Sequence, residues 1–121
     1  MSGDYNPVND ADRIPLTASA TITEGQLLSV SGVNTVAPAA AGAVVIGVAA
    51  FAAASGTRVT VLEKDMEHET TTTNGVTAGD VLISGTSGVV ETAGTSPAAA
   101  TVVGVALTTA AALAKARWKG L

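Results

Sequence analysis

The sequence contains no cysteine, and aromatic side chains account for only 2% of its 121 residues. Without cysteine, a disulfide scaffold and a zinc site built on thiolates are both excluded. Charged residues are also scarce, at 13%, whereas hydrophobic residues reach 47%. A disordered chain shows the opposite balance, and the length suits one domain better than two. We therefore expect a folded domain whose core consists of small aliphatic side chains.

Positive charge is scarce as well, since the chain has six Lys and Arg against ten Asp and Glu and a formal net charge of −4. Affinity for nucleic acid comes from clustered basic residues, so we expect no nucleic-acid partner. The basic residues concentrate on one face of an alternating segment, at Lys115, Arg117 and Lys119. This face is a possible docking surface for an acidic protein, where charge sets orientation more than affinity. The simpler interpretation is ordinary exposure of a strand.

The longest uncharged run lies between Glu24 and Arg58, and its part from Val36 to Ala54 approaches the length of a membrane-spanning helix. Ala and Gly dominate this run and Pro38 interrupts it, so it should transfer only weakly into lipid. Residues 1–12 lack the basic region of a secretory signal. We therefore expect no membrane partner.

Residues 1–16 differ in character from the rest, because they hold prolines, asparagines and acids but no periodic apolar pattern. Prolines block a continuous helix and the pairing of a central strand. We predict an extended N-terminal arm, while a floppy tail is the alternative for a free monomer. The side chains suited to contact a partner are Tyr5, Pro7, Val8, Ile14, Pro15 and Leu16.

Residues 17–121 are rich in Thr, Val and Gly and carry frequent turn signals, a composition typical of short strands. Stretches of helix-forming residues are short and interrupted, so at most short helical turns are expected, one of them near residues 97–101. Residues 113–119 alternate, with Trp118 on the face opposite the basic residues. We predict that Trp118 is the largest side chain of the core.

An internal repeat covers approximately residues 22–50 and 76–107. Its best-matched stretches are ITEGQLL with VTAGDVL, and VIGVAA with VVGVAL. A glycine at a turn permits positive φ, and a glycine inside an apolar strand marks a bulge or a close backbone approach. The matching pairs are Gly25 with Gly79 at the turns and Gly47 with Gly104 in the strands. The sequence therefore predicts an all-β fold, a small compact β-barrel or sandwich built from two sequence-related halves within a single domain over residues 17–121.

The densest polar cluster is the acidic segment at residues 63–69, which holds four carboxylates and His68. Carboxylates bind hard cations such as calcium, but the segment lacks the glycine of a calcium-binding loop. A zinc site needs three or four donors, and the chain has a single histidine and no cysteine. We predict a solvated, self-repelling edge or hairpin and no metal site.

The motifs of common catalytic sites are absent from the sequence. No Gly-x-Ser-x-Gly elbow and no glycine-rich phosphate loop occur. We therefore expect no enzyme activity, no catalytic residues and no cofactor. The alternative of a small hydrolase that uses His68 predicts that His68→Ala abolishes an activity.

The duplicated pattern resembles the small capsid decoration, or cement, proteins of tailed bacteriophages. The resemblance rests on residues 17–28 with 45–49, on residues 76–82 with 102–107, and on the terminal stretch at residues 116–120. It implies a structural virion protein on the outer surface of the phage head, where it stabilises contacts between major capsid protein subunits. It further implies a homotrimer and an arm, residues 1–16, that reaches across neighbouring capsid subunits.

A carbohydrate-binding or adhesin-like β module is the alternative function. Sugar sites usually stack the ligand on aromatic faces, and this chain has three aromatic residues in all, Tyr5, Phe51 and Trp118. Aromatic content therefore favours the structural protein.

Overall fold

The computed structural model describes residues 13–95 and 97–121, and these residues form an all-β fold with two short 3-10 turns. The first half of the chain carries strands β1 (Arg13–Ala18), β2 (Leu27–Gly32), β3 (Thr35–Pro38), β4 (Gly47–Ala49) and β5 (Arg58–Leu62). The second half carries β6 (Glu67–Thr71), β7 (Val81–Ser84), β8 (Val90–Thr92), β9 (Gly104–Ala106) and β10 (Lys115–Gly120). The turns are Thr86–Gly88 and Ala99–Thr101. Both the predicted fold class and its limit of short helical turns are confirmed.

Each half builds a five-stranded unit of its own. In the first half the strands close into a barrel in the order β1-β3-β2-β4-β5, with β1 parallel to β3 and antiparallel to β5. The second half has the order β6-β10-β9-β7-β8, and a single parallel bridge between Thr72 and Val90 joins its two ends. No described segment forms a helix that is long and apolar enough to cross a membrane.

The strand registers of the first half recur in the second half. Arg13 pairs with Leu62 in the first half, and Glu67 pairs with Lys119 at the equivalent place in the second. Two further strand pairs correspond in the same way: Leu27–Val48 is equivalent to Val81–Val105, and Leu28–Pro38 is equivalent to Leu82–Thr92. The isolated antiparallel bridge Ile22–Ala53 is likewise equivalent to Val76–Ala110. The sequence repeat is therefore a structural duplication of one five-stranded unit.

The repeated glycines have the roles that the sequence predicts. Gly25 and Gly79 adopt φ of +83° and +92° in the turns that precede β2 and β7, a conformation that costs other residues free energy. At the start of β4, a Cβ atom on Gly47 would overlap the carbonyl oxygen of Leu62. At the start of β9, a Cβ atom on Gly104 would overlap the carbonyl oxygen of Lys119. Both strands therefore require the close backbone approach that only glycine permits.

The predicted boundary of the arm is wrong at its C-terminal end. Ile14, Pro15 and Leu16 were predicted to belong to the arm, but the structure places them in β1, antiparallel to β5. They are needed there because β1 is the strand that closes the first barrel. Proline is tolerated in this strand because β1 pairs with β3 only at Thr17 and Ala18, which leaves the backbone around Pro15 with a partner on one side. Tyr5, Pro7 and Val8 lie outside the described residues.

Two clusters of buried side chains form the core. The first lies inside the first barrel and contains only residues of the first half: Ala18, Ile22, Leu28, Val36, Ala49, Ala53, Val59 and Val61. The second lies inside the second unit and includes Trp118, which is fully buried, as predicted. The second cluster also contains four residues of the first half, which we call the covered face: Leu27, Ala39, Val45 and Val48. The second core is therefore completed by the first half of the chain.

Hydrogen bonds also join the two halves. The backbone nitrogen of Gly42 donates to the Ser84 carbonyl oxygen at 2.9 Å, and the Ser84 hydroxyl donates to the Ala40 carbonyl oxygen at 2.7 Å. The Thr70 hydroxyl donates to the Gly25 carbonyl oxygen at 2.7 Å and accepts from the Trp118 indole at 3.0 Å. We call the second-half residues Thr70, Ser84, Ser87 and Gly88, which the first half contacts, the receiving face. The two units therefore pack as one body.

Candidate functional site

The single histidine lies at the junction of the two halves and has a structural environment. His68 is 7% exposed, and its ring centroid lies 4.9 Å from that of Trp118. Its Nε2 atom donates to the Glu63 carbonyl oxygen at 2.8 Å, since a carbonyl can only accept. Burial lowers the pKa of the imidazole below its ordinary value and outweighs the opposing effect of this hydrogen bond. The neutral ring is therefore the form that the fold favours.

Among the described residues, no serine or threonine lines the groove beside His68. It has a volume of about 230 Å³ and is lined by Glu24, Val48, Leu62, His68, Glu69 and Lys115 among others. In the described part of the chain, no serine or threonine hydroxyl and no carboxylate is hydrogen bonded to the ring. The arrangement therefore offers no hydroxyl in contact with the imidazole, which a hydrolase with a Ser-His pair requires.

The acidic segment is split between a turn and a strand. Residues 63–66 connect the two halves, and Glu67 and Glu69 point outward from β6 on either side of the buried His68. Among residues 13–95 and 97–121, no group of three His, Asp or Glu side chains is arranged to hold a metal ion. The carboxylates of β6 instead lie next to the basic face of β10.

The basic face of β10 is therefore a surface of mixed charge. Lys115, Arg117 and Lys119 are exposed and alternate with buried residues, as the sequence predicts. Arg117 forms an ion pair with Glu67 on the neighbouring strand, and the hydrogen bond within this pair raises the pKa of the guanidinium group. Lys119 donates to the backbone carbonyl oxygens of Asp65 and Gly120. Because much of its charge is already partnered, this face offers less attraction to an acidic protein than the sequence implies.

The most distinctive surface of the described residues is apolar, and it was not predicted from the sequence. Val81 occupies the position in the second half that Leu27 occupies in the first, yet Val81 is 41% exposed whereas Leu27 is 0% exposed. We call the equivalents of the covered face the open face: Val81, Ala93, Val102 and Val105. All four are partly or substantially exposed.

A second apolar surface lies around the β2–β3 hairpin. Val30 is 61% exposed and Val33 is 91% exposed. These residues are the equivalents of Ser84 and Ser87, and with Leu16 and Asn34 they correspond to the receiving face of the second half. We call Leu16, Val30, Val33 and Asn34 the hairpin patch. The sequence signal for both surfaces was the alignment of the repeats, but sequence alone does not say which copy of a repeated face is covered.

Comparison with known proteins supports the fold. No family model matches the sequence, and no curated protein matches it. Among solved structures, the chain is similar to the head fiber gp8.5 N base of bacteriophage phi29, with a TM-score of 0.75. The likeness covers 90% of this chain and 92% of that chain at 18% sequence identity. At this identity the likeness shows a shared all-β fold over nearly the whole length of both chains.

Proposed function

We propose that the protein is a non-enzymatic structural protein of a phage virion that decorates the outer surface of the head. In this role it binds the major capsid protein and stabilises contacts between its subunits. The observation that carries the proposal is the fold, which the chain shares over 90% of its length with the head fiber base of phage phi29. The resemblance of the duplicated sequence pattern to cement proteins supports the same role on separate grounds.

The placement of polar and apolar side chains among the described residues supports this proposal. The polar groups at the junction serve to hold the halves together, as in the chain of hydrogen bonds from Trp118 through Thr70 to Gly25. The surface presents exposed apolar side chains at Val30, Val33 and Val81. Exposed apolar surface of this kind is typical of contacts between proteins.

The proposal includes self-association, as a homotrimer, and attachment through the N-terminal segment. Tyr5, Pro7 and Val8 precede β1, so the chain leads from this segment directly into the strand that closes the first barrel. An extended segment can bind by adding a strand to the edge of a partner sheet. Many copies on one shell also gain avidity without high affinity at each site.

The test uses expanded, DNA-free heads of the encoding phage prepared without this protein. We expect the purified protein to sediment with these heads and to raise the temperature at which they disrupt. A variant without residues 1–12 separates the contribution of the N-terminal segment from that of the folded body. If the full-length protein neither sediments with the heads nor changes their disruption temperature, the proposal is overturned.

The alternative of a carbohydrate-binding module receives little support from the described aromatics. Trp118 is fully buried, and Phe51 is 48% exposed in the loop between β4 and β5. One half-exposed ring offers a poor stacking platform for a sugar. Binding of a free monomer on a glycan array would favour this alternative over the structural role.

A further inference from the structure

The open face of the second half is the exposed copy, among the described residues, of a surface that the first half buries. In the first half, Leu27 and Val48 point away from their own barrel, because their neighbours Leu28 and Ala49 fill its interior. They are buried against the second half, at 0% and 2% exposure. The equivalent residues Val81 and Val105 also point outward, but no part of the described chain buries them to this extent.

The chain itself shows what kind of surface covers such a face. The covered face of the first half lies against the receiving face of the second half, which is a sequence-related copy of the hairpin patch. Gln26 donates to the Ser87 carbonyl oxygen at 2.9 Å, and the Gly88 nitrogen donates to the Ala39 carbonyl oxygen at 2.8 Å. The described residues therefore contain one completed contact, while the equivalents of its two surfaces, the open face and the hairpin patch, are at least partly exposed.

We propose that the open face binds the hairpin patch of a second copy of this chain in a head-to-tail contact. The proposal rests on the self-association within the proposed function, and it does not depend on the phage head. Both surfaces are apolar, with Val81 on one and Val30 and Val33 on the other. Burial of these side chains is the driving force that the contact would use.

The contact between copies differs in chemistry from the contact within the chain. Ser84 bonds the facing loop through its hydroxyl, whereas Val30 at the equivalent position offers only apolar surface. The first barrel is also closed at the seam between β1 and β3, so the partner lies on the barrel surface and adds no residue to its core. The contact between copies is therefore more apolar and more readily reversible than the internal junction.

A contact between two different surfaces has a consequence for assembly. A head-to-tail contact leaves one open face and one hairpin patch free at the ends of any open chain of molecules. Such contacts generate a closed ring when the rotation between neighbours closes, and a filament when it does not. A ring agrees with the cyclic homotrimer of the proposed function.

The experiment measures self-association of the full-length protein by sedimentation velocity over a range of concentrations. Val81→Lys places a charge on the open face, and Val30→Lys places one on the hairpin patch. We expect each variant to weaken self-association at least about tenfold, since an interface excludes an unpaired charge at its centre. The matched control is Leu113→Lys, because Leu113 is 77% exposed and apolar but lies on neither surface.

Mixing the two variants distinguishes a head-to-tail contact from a symmetric one. One variant retains the hairpin patch and the other retains the open face, so an equimolar mixture should form a 1:1 dimer. Formation of this dimer also shows that both variants are folded. If the open face paired with itself, mixing would restore nothing and Val30→Lys alone would have no effect.

Three other results would overturn the proposal. They are a wild-type protein that stays monomeric, two variants that associate as tightly as the wild type, and association that depends on residues 1–12 but not on Val81. A wild-type protein that stays monomeric but still binds phage heads would reject this contact and the proposed homotrimer, and would leave the decoration of the head standing. Normal self-association without binding to heads would reject the decoration of the head and leave this contact standing.

Discussion

The first half of the chain encloses its core within its own strands, whereas the second half borrows part of its core from the first. The cluster inside the first barrel draws only on residues of the first half. The cluster inside the second unit includes Leu27, Ala39, Val45 and Val48 from the first half. The same strand registers therefore occur in a unit that fills its own core and in a unit whose core is completed by the other half.

The seam between the first and third strands of each unit accounts for part of this difference. In the first half, β1 and β3 pair at two successive positions, Thr17 with Thr35 and Ala18 with Val36. In the second half the equivalent seam has one bridge, Thr72 with Val90. The closely packed backbone of Leu27 lies beside Gly88 near this seam, where a Cβ atom on the glycine would meet the Leu27 carbonyl oxygen at 2.7 Å. A duplicated unit can thus open one seam when a neighbour covers it.

The largest expected loss of stability tests the close backbone approach that both halves contain. Gly47→Ala and Gly104→Ala should each lower the free energy of unfolding by about 4 kcal/mol or prevent folding, because the new methyl group overlaps a backbone carbonyl oxygen that cannot move independently. Urea denaturation followed by circular dichroism measures the loss. Gly94→Ala is the control, since nothing lies within 4 Å of its Cβ position. Tolerance of one substitution but not the other would show that the two close approaches are not equivalent.

The next largest loss of stability tests a position that is buried in the first half and exposed in the second. Leu27→Ala should lower the free energy of unfolding by about 3 kcal/mol, because it leaves a cavity in the second core. Val81→Ala, at the equivalent position, should cost less than about 1 kcal/mol in the monomer, since Val81 is 41% exposed. Denaturation of both variants at a concentration below self-association makes the comparison. Equal losses would contradict the assignment of Leu27 to the junction.

A smaller effect is expected from the polar link between the halves. Thr70→Val removes the hydroxyl that bonds both Gly25 and Trp118, and should cost about 2 kcal/mol because the buried indole and the partly buried Gly25 carbonyl lose their partner. Trp118 fluorescence reports the change near the indole directly. Thr73→Val, at an exposed position, serves as the control and should leave stability nearly unchanged. A Thr70→Val protein as stable as the wild type would show that water replaces the hydroxyl.

The smallest effect concerns pH and compares His68 with Ile14, its equivalent in the first half. The pKa of His68 is lowered in the folded protein, so the unfolded chain binds a proton more readily. Stability should therefore be complete above the ordinary histidine pKa of about 6.5 and should fall as the pH drops below it. His68→Ile, which installs the first-half residue, should flatten this part of the stability profile. A profile unchanged by the substitution would assign the pH dependence to carboxylates.

Much of the fold could be predicted because its signals are local. Alternation in residues 113–119 predicted that Trp118 is buried, and the structure confirms it. The repeat predicted paired turns and paired close approaches, and Gly25, Gly79, Gly47 and Gly104 adopt them. Each of these features depends on the conformation of a few neighbouring residues, so a short stretch of sequence carries the signal.

Other features depended on distant residues and escaped prediction. The prolines suggested that Ile14 and Leu16 belong to an extended arm, but β5 pairs with this segment and makes it a barrel strand. The sequence did not show an acid beside the basic face, but the pairing of β6 with β10 places Glu67 next to Arg117. The role of His68 likewise depended on Trp118, fifty residues away in the chain.

The amino-acid sequence by itself determined that this protein is built from strands, that one unit occurs twice, and where backbone geometry demands glycine. These properties follow from side-chain alternation and from allowed φ values, which act over a few residues. Only the tertiary structure decided that Leu27 is buried while Val81, its counterpart, remains exposed. Two equivalent residues in matching strands differ in burial because burial depends on what packs against a face, and among the described residues only one of the two faces is covered.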